Sequence, residues 1–213
     1  MIYLVIADIQ SIEKDCRVSR QSCNLFSKEI KDYIENTKND QTRTERFIAY
    51  SSLFYSLKEF YSVNNAKLVK NENGKPSIVD SDIQISLSHC DGVCTIVFSD
   101  EGEIGVDIQS PLDEAKAERL NARFLSEIQP KQEEIEIKCF YMTFSDNGAE
   151  FTEITLKNSP NEDFLSKWVY TESVIKAFGL TFSDISKINE LSKNTKTAIF
   201  NYKKFKIAIT EIV

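Results

Sequence analysis

A single histidine, His89, occurs in 213 residues. That excludes a histidine-rich metal site and any mechanism that relays a proton between two imidazoles. The five cysteines, Cys16, Cys23, Cys90, Cys94 and Cys139, are odd in number and lack Cys-x-x-Cys spacing. A zinc ribbon and a fully paired disulfide framework are both outside that pattern, and reduced thiols are expected. Long apolar runs are missing as well. Stretches such as Ile2 to Ala7 fall far below the ~20 residues a spanning helix requires, and no basic segment followed by an apolar one opens the chain. The expectation is a cytoplasmic protein with no membrane contact. Basic charge is in deficit, with 26 Lys and Arg against 33 Asp and Glu and a net charge of −7. Such a field repels polyanions, so nucleic acid is not an expected partner. A small anionic ligand then needs local cations or a metal at short range, where screening is least.

What is present is an ordinary globular composition, 41% hydrophobic and 28% charged, which excludes disorder but not enzyme or binding module. The length accommodates one core or two packed halves. Ile2 to Ile9 reads as a strand, and about Ser11 to Asn36 and Arg46 to Tyr61 as helices. The cluster from Asn71 to Pro76 is a turn. Three strands, Ile83–Ser88, Val93–Phe98 and Ile104–Gln109, predict an antiparallel meander. Ser110-Pro111 predicts the cap of a helix over about Leu112 to Ser126. Ile135–Phe144 and Glu150–Leu156 around Ser145-Asp146-Asn147-Gly148 predict a hairpin. Ser159-Pro160-Asn161-Glu162 and Gly179 bracket a helix from Pro160 to Phe178. Thr197–Tyr202 and Phe205–Ile212 predict a closing hairpin. Each half thus runs strand, helices, strands, which predicts an α+β fold of two similar halves, 1–102 and 103–213, with a hairpin at about 131–156 in the second.

Three patches can carry chemistry: Gly74-Lys75-Pro76; Ile85-Ser86-Leu87-Ser88-His89 followed by Gly105-Val106-Asp107-Ile108-Gln109; and Trp168-Val169-Tyr170-Thr171-Glu172-Ser173-Val174-Ile175-Lys176. On a strand, Asp107 and Gln109 share one face while Val106 and Ile108 take the other. On a helix, Trp168, Glu172 and Lys176 form one stripe. Two oxygen donors, a carboxylate and an ammonium are therefore available for a common point. Mg²⁺ is satisfied by few carboxylates plus phosphates and water, so Asp107 and Glu172 are of the kind that suit it. Taken singly, each patch has a plain structural reading: a solvent-exposed Glu–Lys helix pair, a turn, a core tryptophan.

In order and spacing these patches resemble the larger, pseudodimeric class of 4′-phosphopantetheinyl transferases. The resemblance implies two α+β halves related by pseudo-twofold symmetry, with coenzyme A in the cleft between them. It implies Mg²⁺-dependent transfer of the phosphopantetheine arm to a serine of an apo acyl or peptidyl carrier protein, by a monomer. It further implies Asp107, Gln109 and Glu172 at the metal, Glu172 as base, and Lys176 on the phosphate. Arg46, Ser88 and His89 would lie at the coenzyme phosphates and Lys75 and Pro76 on its adenine side, with Lys28, Lys31 and Arg43 able to extend the basic patch. Two positions depart from the pattern. Gln109 stands where a glutamate is usual, and Thr171 where a lysine precedes the motif glutamate. The alternative these departures favour is a non-catalytic module that binds coenzyme A or a carrier protein.

Overall fold

The computed structural model describes residues 1–8, 26–145, 148–159 and 163–213. The start of the helix expected from Ser11, the tip of the Asp146-Asn147 turn and the Pro160-Asn161-Glu162 segment lie outside them. The fold is α+β. The first sheet has the order β4 (Gln84–Cys90), β5 (Val93–Ser99), β1 (Ile2–Asp8), β7 (Ile137–Ser145), β8 (Gly148–Ile154), and the second β6 (Ile104–Gln109), β11 (Phe205–Ile212), β10 (Thr195–Tyr202), β9 (Lys157–Asn158).

Alternation along the strands sets the layers. On β1 (Ile2–Asp8), Ile2, Leu4 and Ile6 face a core shared by both sheets, whereas Val5 and Ala7 face outward to a helix. On β5 (Val93–Ser99), Val93 and Val97 face that shared core while Cys94, Ile96 and Phe98 face the helix. Ile104, Val106 and Ile108 of β6 (Ile104–Gln109) and Phe205, Ile207 and Ile209 of β11 (Phe205–Ile212) close the shared core from the other side. Burying each such side chain stabilises by roughly 1.5–3 kcal/mol, so the period-2 pattern fixes which face turns inward.

Two helices cover the outer faces. A short helix, α1 (Lys28–Glu35), capped by Ser27, precedes α2 (Asp40–Tyr61). The latter covers the first sheet through Ile48, Leu53 and Leu57. It starts six residues before the expected Arg46, because the Asn39 side chain accepts the Thr42 N–H and caps it at 2.9 Å. Over the second sheet lies α4 (Phe164–Ala177), following the seven-residue α3 (Glu114–Leu120). In both, the cap differs from the expected residue. Asp113 caps α3, while the Ser110 hydroxyl donates instead to Asp91 Oδ2 at 2.6 Å. Asp163 caps α4, and the Ser159 hydroxyl accepts from buried Lys206. At its far end α4 stops at Gly179, whose φ of 62° is the left-handed geometry of a helix end.

Two further expectations change. Strand β6 does not continue a meander with β4 (Gln84–Cys90) and β5; it pairs with β11 in the second sheet. Its outer edge meets β4 through hydroxyls: Ser86 Oγ and Ser88 Oγ accept the Val106 and Ile108 N–H groups at 3.1 and 3.3 Å. The hairpin of β7 (Ile137–Ser145) and β8 (Gly148–Ile154) extends the first sheet, with β7 parallel to β1. The first sheet therefore takes two strands from beyond residue 103. The predicted closing hairpin is present as β10 (Thr195–Tyr202) and β11, and β10 also pairs with the two-residue β9 (Lys157–Asn158). A small two-stranded ladder of β2 (Leu68–Lys70) and β3 (Pro76–Ile78) flanks the Gly74 turn.

Candidate functional site

Helix α4 approaches β6 as closely as backbone permits. A Cβ at Gly105 would stand 2.0 Å from the Ser173 carbonyl and 2.4 Å from the Ala177 nitrogen. Two residues along the same face, Asp107 meets this helix. Lys176 Nζ lies 2.6 Å from Asp107 Oδ1, and Ser88 Oγ donates to the same oxygen at 2.8 Å. The Ser88 hydroxyl accepts from Lys176 at 3.0 Å and from the Ile108 N–H, so its donor and both acceptor positions are filled. Strand β4, strand β6 and helix α4 thus converge on one buried oxygen.

Glu172, one turn before Lys176, is the outlier of the cluster. Burial pushes its carboxyl up to about 7; the charge of Asp107 pushes the same way, and Lys176 opposes both. Two carboxylates sharing one ammonium in a half-dry site leave a deficit of positive charge. A group that can release or take a proton near neutrality is the usual requirement for a general base.

The Gly74 turn forms the facing wall. Asn71 Oδ1 accepts the Asn73 and Lys75 N–H groups, and Gly74 has a φ of 87°. The turn is stapled to the C-terminus of α4: Asn73 Nδ2 donates to the Gly179 carbonyl at 2.9 Å and Lys75 Nζ to that of Ala177 at 2.6 Å. Both bonds satisfy carbonyls left over at a helix end. Lys75 also pairs with Glu103, so its ammonium faces α4. Between the turn and the helix lies a hollow of about 310 Å³ lined by Lys75, Pro76, Ser86, Glu172, Lys176 and Phe182, among others. Pro76 also lines a second hollow of about 500 Å³ with Tyr33, Tyr50, Lys67 and Lys70. There the Tyr33 ring carries the Arg46 guanidinium 4.3 Å from its centroid and the Lys70 ammonium at 3.2 Å. Burial first, then Arg46, lowers the Lys70 ammonium to about 8.

Sequence comparison finds no matching family model and no matching curated protein.

Of the residues singled out from sequence, Ser88, Asp107, Glu172 and Lys176 come together. Pro76 and Lys75 line the same hollow, and Arg46 stands beside the second one. His89 points to the opposite face of β4 from Ser88, toward α2, where its Nδ1 is 2.8 Å from Glu45 Oε2. Gln109 shares the Asp107 face as expected, but its amide nitrogen is held by Cys90 Sγ at 3.4 Å and the Ser110 carbonyl at 3.2 Å. Trp168 packs between Phe164 and Phe182, which is a core role. Thr171 is fully buried with its hydroxyl on the Lys167 carbonyl, so a lysine at that position would enter the core rather than the cleft.

Sequence reasoning missed Glu45, Lys70 and Tyr33. Their partners lie on other elements, and only the Asn39 cap, which extends α2 back to include Glu45, was readable as a local signal.

For a metal, the donor set is sparse. Among the described residues no group of three or more His, Cys, Asp and Glu side chains can hold an ion. Asp107 and Glu172 are donors of the kind that suit Mg²⁺, which takes one or two carboxylates and completes its shell from phosphate and water. They do not fit Zn²⁺, which demands nitrogen or sulfur ligands.

Proposed function

We propose that this chain is a 4′-phosphopantetheinyl transferase of the pseudodimeric class, acting in the cytoplasm as a monomer. It moves the arm of coenzyme A onto a serine of an apo acyl or peptidyl carrier protein. In this reading the two sheets with their outer helices are the halves related by the pseudo-twofold axis. The observation that carries the reading is the charge arrangement of Glu172, Asp107 and Lys176 against the Gly74 turn. The Glu172 carboxyl, raised to about 7, and the Lys176 ammonium line one small hollow, the buried Asp107 carboxylate pairs with that ammonium, and Pro76 lines both this hollow and a larger one bordered by cations and tyrosines. That is a track for an extended anion with a diphosphate at one end and an aromatic base with its phosphate at the other.

The chemistry follows from these residues. Glu172 accepts the proton of the carrier serine hydroxyl. The serine oxygen forms a bond to the β-phosphorus, the bridging P–O bond breaks, and 3′,5′-adenosine bisphosphate leaves with the electron pair. Lys176 holds a phosphate oxygen, and the Ser88 hydroxyl fixes the Lys176–Asp107 pair from below. Asp107 and Glu172, with Gln109 on the same face of β6 as Asp107, would hold Mg²⁺, which would supply charge neutralisation at the diphosphate.

The test is intact-mass analysis of apo-carrier proteins incubated with coenzyme A and Mg²⁺. A gain of one phosphopantetheine group, absent in EDTA, is expected. No gain on any carrier, with coenzyme binding retained, selects the non-catalytic module that Gln109 and buried Thr171 favour.

A further inference from the structure

Helix α2 holds a buried carboxylate that the transfer step does not use. Glu45, on α2, is 6% exposed. Its Oε1 accepts the Gly92 N–H at 3.1 Å and the Gln41 amide at 3.2 Å, and its Oε2 faces His89 Nδ1 at 2.8 Å. The Glu45 carbonyl accepts the thiol of Cys94 at 3.3 Å. Gly92 is the tip of the β4–β5 turn, with Asp91 at a φ of 45° and Gly92 at 80°. One carboxylate thereby locks the turn to the helix and grips the ring that precedes it.

An ionised carboxylate only accepts, so the proton on this bond belongs to His89 Nδ1. The bond leaves Nε2 as the ring nitrogen available for a ligand, and the His89 side chain is 32% exposed. With Nδ1–H committed to Glu45, a donor at Nε2 exists only in the imidazolium. An anion at Nε2 therefore selects the doubly protonated ring, and Glu45 balances its charge from behind. Arg46, the next residue on α2, reaches Thr37 Oγ1 at 2.7 Å and lies over Tyr33, so the imidazole and the guanidinium are set by adjacent positions of one helix.

We infer that Glu45 is a positioning residue for anion recognition: it holds His89 with Nε2 presented as a charged donor to the 3′-phosphate of coenzyme A. The inference rests on the transferase reading, and it adds a residue that none of the three sequence patches contains.

Because His89 is the chain's one histidine, its ring nitrogens give an unambiguous ¹⁵N NMR spectrum. The free protein should show Nδ1 protonated, and Glu45→Gln should abolish that signature. Titration calorimetry then compares coenzyme A with its 3′-dephospho form. The wild type should prefer coenzyme A. Glu45→Gln should weaken coenzyme A by about tenfold, the scale of one charge-assisted hydrogen bond, with dephospho-coenzyme A changed less than about twofold. Glu45→Asp should restore part of the preference, and His89→Ala combined with Glu45→Gln should be no worse than His89→Ala alone. Equal weakening of both ligands by Glu45→Gln would assign Glu45 to holding the turn and overturn the inference, as would an unchanged preference. Wild type that binds neither ligand would overturn the transferase reading itself and this inference with it.

Discussion

At one end of the proposed site Asp107 and Glu172 flank the Lys176 ammonium, whereas at the other Glu45 faces His89 while Arg46 and Lys70 lie over the Tyr33 ring. The first end has acids in excess of base, and burial, with the Asp107 charge adding to it, raises the Glu172 carboxyl to about 7. The second has cations in excess, steadied by a buried carboxylate and by aromatic faces, an arrangement worth roughly 0.5–2 kcal/mol per cation. The contrast teaches which end can do chemistry. A site that must move a proton needs a group whose two states are near balance at working pH; a site that must only hold an anion needs fixed donors in a fixed place.

The sharpest way to break that contrast is Glu172→Gln. The amide keeps the shape and removes both the charge and the basicity, so transfer to a carrier should fall by roughly 10²-fold to 10⁴-fold. Circular dichroism should be unchanged, and coenzyme binding should survive because the other end is untouched. A variant that retained most of its rate would move the base elsewhere.

Next in size is Gly105→Ala. The added methyl meets backbone atoms of Ser173 and Ala177, which cannot rotate away. Helix α4 must shift, at a cost of about 3 kcal/mol, read as a lower midpoint in urea denaturation. The same shift would separate Lys176 from Asp107, so activity should fall even where the variant remains folded. An alanine that left the midpoint in place would mean that α4 is not held against β6 as described.

These two residues also show how much was readable in advance. Gly105, Asp107, Glu172 and Lys176 sit in short patches whose period, 2 or 3.6, already sets their faces, and burial then obeys it. The strands were readable for the same reason, since Ile2, Leu4 and Ile6 alternate with Tyr3, Val5 and Ala7 and each set has its own core. What was not readable depends on partners far along the chain. Glu45 and His89 are 44 residues apart and carry no periodic signal. Strand β6 looks like the third member of a meander, and only the pairing with β11, a strand a hundred residues later, and the serine hydroxyls along β4 take it elsewhere. The caps fall between. Asn39 and Asp113 are ordinary capping residues, but nothing local ranks Asp113 above Ser110; the Asp91 carboxylate, which receives the Ser110 hydroxyl, does.

A smaller effect sharpens the electrostatic side. Glu172 binds its proton more tightly in the folded chain, near 7 against an ordinary 4.5. Its contribution to stability is therefore complete below about pH 4.5 and is lost as pH rises through about 7. In EDTA, wild type should lose stability relative to Glu172→Gln between about pH 5 and pH 8, by on the order of 2 kcal/mol. Parallel denaturation curves across that range would mean the carboxyl is not pushed up, and the contrast between the two ends would lose its basis.

The finest test concerns Gln109. A glutamate there adds a negative charge on the Asp107 face of β6, which should lower the Mg²⁺ concentration giving half-maximal transfer. The surroundings limit the gain. The present amide donates to Cys90 Sγ and the Ser110 carbonyl, and a carboxylate cannot donate to either. It must turn away from the Ser110 oxygen. A shift of only a few-fold is therefore expected, roughly 0.5–1 kcal/mol after the lost hydrogen bonds are set against the added charge. Its sign matters more than its size. A higher Mg²⁺ requirement for Gln109→Glu would show that this position serves the β6–Ser110 backbone and takes no part in the proposed metal site.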